Sequence, residues 1–250
     1  MRQFFVEETQ VYKPYIDILG TDVNHILHVL RLKKGENIQI VNKQTHEQYI
    51  VEIIQYDEQK VTTQIIQKLE ENVESNVQID IYQGIPKSDK MEWIIQKTTE
   101  LGASSIIPTA MERCVVKLNE KDAKKKIERW QKIAEGAAKQ SKRTKIPTIE
   151  PIIKIADVVK KIQEYDAFIV AYEEENKQTL KSVLQNIKKA NEPLKIGILI
   201  GPEGGIDKKE IMQLQQTNAK IVTLGKRILR TETAPIVMTA NIMYELENEE

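Results

Sequence analysis

A chain of 250 residues with 37 lysines and arginines against 37 aspartates and glutamates has no net formal charge, which excludes a strongly basic, nucleic-acid-coating protein. The length suits one large domain or a small one joined to a larger one. A single cysteine, Cys114, excludes an intrachain disulfide and a thiolate metal cluster, and no apolar run reaches membrane-spanning length, so the expectation is a soluble, cytoplasmic, metal-free protein without a membrane partner.

Residues 1 to about 70 read as short strands and turns. The β-rich runs 37–41, 49–54 and 61–66 are separated by polar segments, Asn42 to Glu47 and Tyr56 to Gln59. A small barrel is the natural way to bury such strands without a long helix. The acidic and polar stretch Glu70 to Asn76 then marks a change of period, and the boundary is drawn between 72 and 73. Beyond it, strand-like runs at 77–82, 105–107, 167–171, 196–200 and 221–224 alternate with helical stretches, the pattern of a largely parallel sheet covered on both faces.

The first helix of this second part is expected to start at Ser88 as cap and to stop at Gly102. Further helices are expected at 123–140, 155–165, 178–188, 208–216 and 234–247, with Asp207 a cap for the fifth and Thr231 or Thr233 for the last. The helix 123–140 lies in a basic stretch: from 121 to 145 there are ten basic residues and three acidic ones. Trp93 and Trp130 fall on helical segments and are expected to pack.

Two segments carry the chemical signal. Ile198-Leu199-Ile200 empties into Gly201-Pro202-Glu203-Gly204-Gly205, and a second strand empties into Leu224-Gly225-Lys226-Arg227-Ile228-Leu229-Arg230-Thr231-Glu232-Thr233-Ala234. Glycines that follow a parallel strand let the main chain approach a bound group at the sheet end where ligands sit. The first segment lacks the Gly-Lys-Ser/Thr ending of a phosphate loop and the glycine spacing of a dinucleotide site. Arg227 and Arg230 suit planar oxygen-bearing groups or phosphate, although pairing with Glu232 would also account for them. All three histidines, His25, His28 and His46, lie in the first part, so hydrolase triads and zinc chemistry fit poorly and a transfer reaction fits better.

The two glycine segments together resemble the paired signature of the RsmE family, the 16S ribosomal RNA uridine N3-methyltransferases of the SPOUT class. The likeness extends over the chain, through the segment His25 to Leu32, Lys87 to Glu92, Gln96 to Gly102, Arg113 and the segment Glu135 to Arg143. It implies an α/β protein with an N-terminal PUA-like RNA-binding β-barrel over 1–72 and a SPOUT methyltransferase domain over 73–250 tied into a deep trefoil knot. It further implies S-adenosyl-L-methionine as donor, a homodimer, and 16S rRNA in the small ribosomal subunit as partner.

Carried onto this sequence, the resemblance places cofactor contacts at Leu199, Gly201, Glu203, Gly204, Gly205, Leu224, Gly225, Ile228, Leu229, Arg230, Thr233 and Ala234. Arg230 is the expected stabiliser of charge on the uracil ring, with Glu232 orienting it or taking the proton. RNA contacts are expected from Arg2, Arg31, Lys33, Lys87, Arg113, Lys139, Lys142 and Arg143. The alternatives are a SPOUT enzyme acting on a ribose 2′-hydroxyl or another base, and a non-catalytic RNA-binding ribosome-assembly protein.

Overall fold

A computed structural model describes residues 1–70, 73–187 and 193–247. The chain divides into two compact units, Met1–Glu74 with Ala138–Ile146, and Ser75–Ala137 with Pro147–Glu250. The expected boundary at residue 72 and helix end at Lys188 lie outside the described residues.

The first unit is a curled six-stranded sheet. In sequence it contains β1 (Gln3–Val6), β2 (Val11–Tyr12), β3 (Tyr15–Leu19), the short helix α1 (Thr21–Asn24) continued by a wider turn over His25–Val29, then β4 (Asn37–Asn42), β5 (Gln48–Tyr56) and β6 (Lys60–Leu69). The strand order is β1-β4-β5-β6-β3-β2, antiparallel throughout except for the parallel β1–β4 pair. Alternation along the strands turns Phe4, Ile16, Ile18, Ile38, Ile40, Val51, Ile53 and Val61 inward to one apolar cluster. Polar side chains fix the hairpins. Asn42 Oδ1 accepts the N–H groups of Gln44 and Thr45 between β4 and β5, and Asp57 Oδ1 accepts those of Gln59 and Lys60 between β5 and β6.

The second unit is a parallel seven-stranded sheet with helices. Its elements are β7 (Val77–Gly84), α2 (Lys90–Glu100), β8 (Ser105–Ala110), α3 (Glu120–Gln140, whose last residues belong to the first unit), β9 (Thr148–Ile149), β10 (Ile153–Lys154), α4 (Ile155–Lys161), β11 (Ala167–Ala171), α5 (Leu180–Leu184), β12 (Leu194–Ile200), α6 (Lys208–Gln215), β13 (Lys220–Val222) and α7 (Ala234–Leu246). The order is β10-β8-β7-β12-β11-β13, with β9 beside β8. Residues of β11 and β12 such as Ile169, Val170, Ile196, Ile198 and Leu199 are fully buried, as continuous apolar runs in a two-sided sheet must be. Because β7, β12, β11 and β13 are adjacent and parallel, the loops that leave their C-terminal ends gather at one edge of the sheet. The last helix packs against α2, α5, β7 and β12.

Several local expectations change. Ser88 does not cap α2: it has φ 56°, and Asp89 occupies the cap position without a side-chain bond. Neither Thr231 nor Thr233 caps α7, because Thr231 is engaged elsewhere and Thr233 accepts no capping bond. Asp207 does cap α6, with Glu210 completing a reciprocal pair. The helix expected over 178–188 is only Leu180–Leu184 among the described residues, capped by Thr179. Trp130 is buried as expected, whereas Trp93 is half exposed with the Lys97 ammonium 5.1 Å from its ring centre.

Candidate active site

The gathered loops enclose one cavity of about 870 Å3. Its walls come from the segment after β12, the segment after β13, the segment after β11 and the first residue of α2. A buried side chain joins the first two. The Thr231 hydroxyl donates to the Gly201 carbonyl at 2.7 Å and accepts from Gln83 Nε2 at 3.0 Å, so the end of β7 is drawn into the same knot of bonds. With both bonds buried, the loops are held to one another by groups that would be costly to leave unpaired.

Close packing explains the glycines of the first loop. At Gly201 a β-carbon would lie 2.9 Å from Ile206 Cγ1 and 3.0 Å from the Gly205 carbonyl carbon. Gly205 has φ 72°, and a β-carbon there would collide with the Glu173 carboxylate. Outside the loop, Arg113 donates to the Gly204 carbonyl at 3.0 Å and stands 3.4 Å from Asp207, which ties the loop to the start of α6.

The cavity combines apolar surface with fixed charge. Ile200, Leu224, Ile228, Leu229 and Ala234 supply the apolar part. Lys90 Nζ lies 2.9 Å from Glu203 Oε1 and 3.4 Å from Glu232 Oε2, while Arg230 Nη1 lies 3.9 Å from Glu232 Oε1. Burial pushes the Glu203 carboxyl up, but the Lys90 hydrogen bond and the Lys87 amide outweigh it and hold the group below the usual glutamate value. The bond to Glu203 in turn raises the Lys90 ammonium above its ordinary value. Glu175 Oε1 accepts the backbone N–H groups of Asn176, Lys177 and Gln178, which fixes the loop after β11.

Most of the expected cofactor residues meet here: Gly201, Glu203, Gly204, Gly205, Leu224, Gly225, Ile228, Leu229, Arg230 and Ala234 all line the cavity. Leu199 does not, because its side chain points into the sheet core and is fully buried. Thr233 is also absent from the wall and sits at the start of α7, and Glu232 lies between Lys90 and Arg230 without lining the cavity. Sequence reasoning missed Lys90, Glu173, Glu175, Asn176 and Thr179. The signal was available in part, since the acidic run Glu173 to Glu175 follows β11 at the same sheet edge as Gly201.

The residues expected at RNA separate into two groups. Arg2, Arg31, Lys33 and Lys87 are exposed, and Arg31 keeps φ 55° where the chain leaves the turn 25–29. Arg143, by contrast, is 6% exposed and its guanidinium is 2.7 Å from Glu74, so it is a buried ion pair and presents nothing to a phosphate. Lys139 is half-buried and bonded to Asp22 at 3.0 Å, and half-buried Lys142 donates to the Met1 carbonyl. Arg113 serves the Gly204 loop as described.

Among the described residues no cluster of histidine, cysteine, aspartate and glutamate is arranged to hold a metal ion. No helix in them is long and apolar enough to cross a membrane.

Comparison with known proteins decides the family. An RNA methyltransferase domain model matches residues 73–243, and an RNA methyltransferase PUA domain model matches residues 18–66. The ribosomal RNA small subunit methyltransferase E of Bacillus subtilis (strain 168) is 38% identical over 99% of this chain and 98% of its own length. The chain belongs to the RsmE family. A crystal structure of the Neisseria gonorrhoeae RsmE protein bound to S-adenosyl methionine superposes with a TM-score of 0.86 at 30% identity, covering 99% of this chain and 98% of that one. A putative methyltransferase from Legionella pneumophila in complex with the same cofactor gives 0.87 at 27% identity, with both chains covered in full. The RsmE relationship therefore spans the curled sheet and the parallel sheet alike.

Proposed function

We propose that this protein transfers a methyl group from S-adenosyl-L-methionine to N3 of a uridine in 16S rRNA within the small ribosomal subunit, and so works in the cytoplasm. The observation that carries the reading is the cavity between two glycine-bearing loops, locked together by Thr231 and Gly201, with the Arg230 side chain 82% exposed at its wall.

The residues present fit the donor. Gly201 and Gly205 keep the main chain bare where a β-carbon would intrude, which leaves backbone groups free to read an adenine edge. Leu224, Leu229 and Ala234 offer apolar cover for the ring, and the cavity is of a size to enclose a molecule of this class. When bound, S-adenosylmethionine supplies an electrophilic methyl group on a sulfonium sulfur.

The acceptor nitrogen carries a proton in neutral uracil, and its loss spreads negative charge onto O2 and O4. Arg230 is our candidate to stabilise that charge, supported by a fork that suits a planar oxygen and by an exposure that leaves it free to meet a base. Glu232, flanked by two cations, has the geometry of an orienting carboxylate, and solvent takes the proton. Positioning and electrostatics, with no covalent enzyme intermediate, then supply the rate enhancement.

Residues 1–72 would grip RNA and 73–250 carry the transfer, with Arg2, Arg31, Lys33 and Lys87 as phosphate contacts. A trefoil knot is supported by the path of the chain, which leaves β13 at the sheet edge and returns as α7 against β7 and β12. A homodimer is supported by α7, where Tyr244 is 89% exposed and Ile236 and Val237 are half-buried. The deciding experiment incubates the purified protein with unmodified small subunits and isotopically labelled methyl donor, then locates the label by mass spectrometry of RNA fragments. Label on N3 of one uridine is the expected result. Label on a ribose, on another base or nowhere overturns the reading.

A further inference from the structure

Lys90 is the first residue of α2 and lines the cavity, yet neither glycine segment contains it. Its ammonium touches both segments, through Glu203 of the first at 2.9 Å and Glu232 of the second at 3.4 Å. Glu232 Oε2 is buried and has no hydrogen-bond partner, so its compensation comes from the nearby ammonium charge. The other oxygen, Oε1, faces Arg230 at 3.9 Å. An ion pair this long to a side chain 82% exposed holds little by itself, so Arg230 cannot be what fixes Glu232. The fixed end of the chain of charges is the helix that carries Lys90.

Resting on the methyl-transfer reading above, we propose that Lys90 is a positioning residue for that reaction: by bridging Glu203 and Glu232 it holds Glu232 in place and takes up its charge, which leaves the Arg230 guanidinium free at the cavity rim to meet the acceptor base. Without the ammonium, Glu232 keeps a buried oxygen and a single cationic neighbour. Arg230 is then drawn onto that carboxylate and away from the base. Donor capture is little affected, because Glu203 retains the Lys87 N–H at 3.1 Å and the Gly201–Thr231 bond is independent of Lys90.

The test uses the full chain with small subunits and labelled donor, in four proteins: wild type, Lys90→Met, Lys90→Arg and Lys90→Met combined with Glu232→Gln. Donor affinity is read separately, by calorimetry on the protein without RNA. Lys90→Met should lower kcat about thirtyfold while the donor Kd changes less than about threefold. Lys90→Arg should recover most of the rate, because a cation at the same place is what the arrangement needs. The double variant should be no slower than Lys90→Met alone, since both changes break one chain of contacts. The inference falls if Lys90→Met turns over within twofold of wild type, if the double variant is clearly slower than Lys90→Met alone, or if the donor Kd weakens as much as kcat falls. A wild-type protein that labels no base sinks the methyl-transfer reading and this inference with it, whereas active wild type with an equally active Lys90→Met sinks the inference alone.

Discussion

Two clusters of arginine, lysine and glutamate behave in opposite ways in this molecule. In the first unit Glu74 is saturated: Oε2 meets Arg143 at 2.7 Å, Oε1 accepts the N–H groups of Thr144 and Lys145, and both charged side chains are 8% exposed. In the second unit the set Lys90, Glu203, Glu232 and Arg230 stays partly open, with one carboxylate oxygen lacking a hydrogen bond and Arg230 82% exposed. The buried pair ties two segments of the first unit together, whereas the exposed Arg230 at the cavity stays available to a ligand. From sequence, Arg143 was expected at RNA and Arg230 at the donor and the uracil ring, and nothing adjacent to either in the chain marked Arg143 as paired with Glu74.

The sharpest way to break this contrast is to remove a charge from each side. Glu74→Gln should cost about 3–5 kcal/mol in a urea unfolding titration, because Arg143 is left buried without its counter-charge. Donor affinity of the folded fraction should be unchanged. The loss should also depend on pH with a known sign. Burial raises the Glu74 carboxyl, yet Arg143 and the two amides more than offset it, so the folded value lies below the ordinary 4.5. The stabilisation is therefore complete above about pH 4.5 and disappears as pH falls through the folded value, and the gap between wild type and Glu74→Gln should narrow in acid.

Arg230→Lys should do the reverse. It keeps a positive charge but loses the planar fork, so methyl transfer should slow by about 100-fold while unfolding stability and donor Kd barely move. Comparable loss of stability at 230 would erase the distinction between the two clusters. Thr231→Val sharpens it further, since the shape is kept while the bonds to Gly201 and Gln83 go. Denaturant titration should register a cost of about 1–3 kcal/mol, with weaker donor binding from the loosened loops. Smallest is Gly205→Ala, where the left-handed backbone costs about 1–2 kcal/mol and the methyl displaces Glu173. Calorimetry should show donor affinity reduced by about tenfold, whereas unchanged affinity would mean the loop does not approach the donor.

Much of the fold was legible because burial imposes period. The runs at 167–171 and 196–200 are apolar enough to require a two-sided parallel sheet, 77–82 alternates as a strand should, and all three are strands within a residue or two. Short edge strands were not legible: β1, β9 and β10 are two to four residues long and take their form from a neighbour. The helix over 180–184 came out shorter than its pattern suggested, and Leu224, expected to end a strand, instead lies in the loop that lines the cavity.

For the site, sequence alone determined the two glycine segments, because only glycine meets the local steric demand of a bare turn and that demand is written at the position itself. Tertiary structure decided everything that depends on a distant partner: that Thr231 closes on Gly201, that Lys90 stands between Glu203 and Glu232, and that Arg143 is spent on Glu74. The reason is physical. A charged side chain has the same chemistry buried or exposed, and its role is set by what the fold brings within about 4 Å of it, where Coulomb attraction and desolvation both become large.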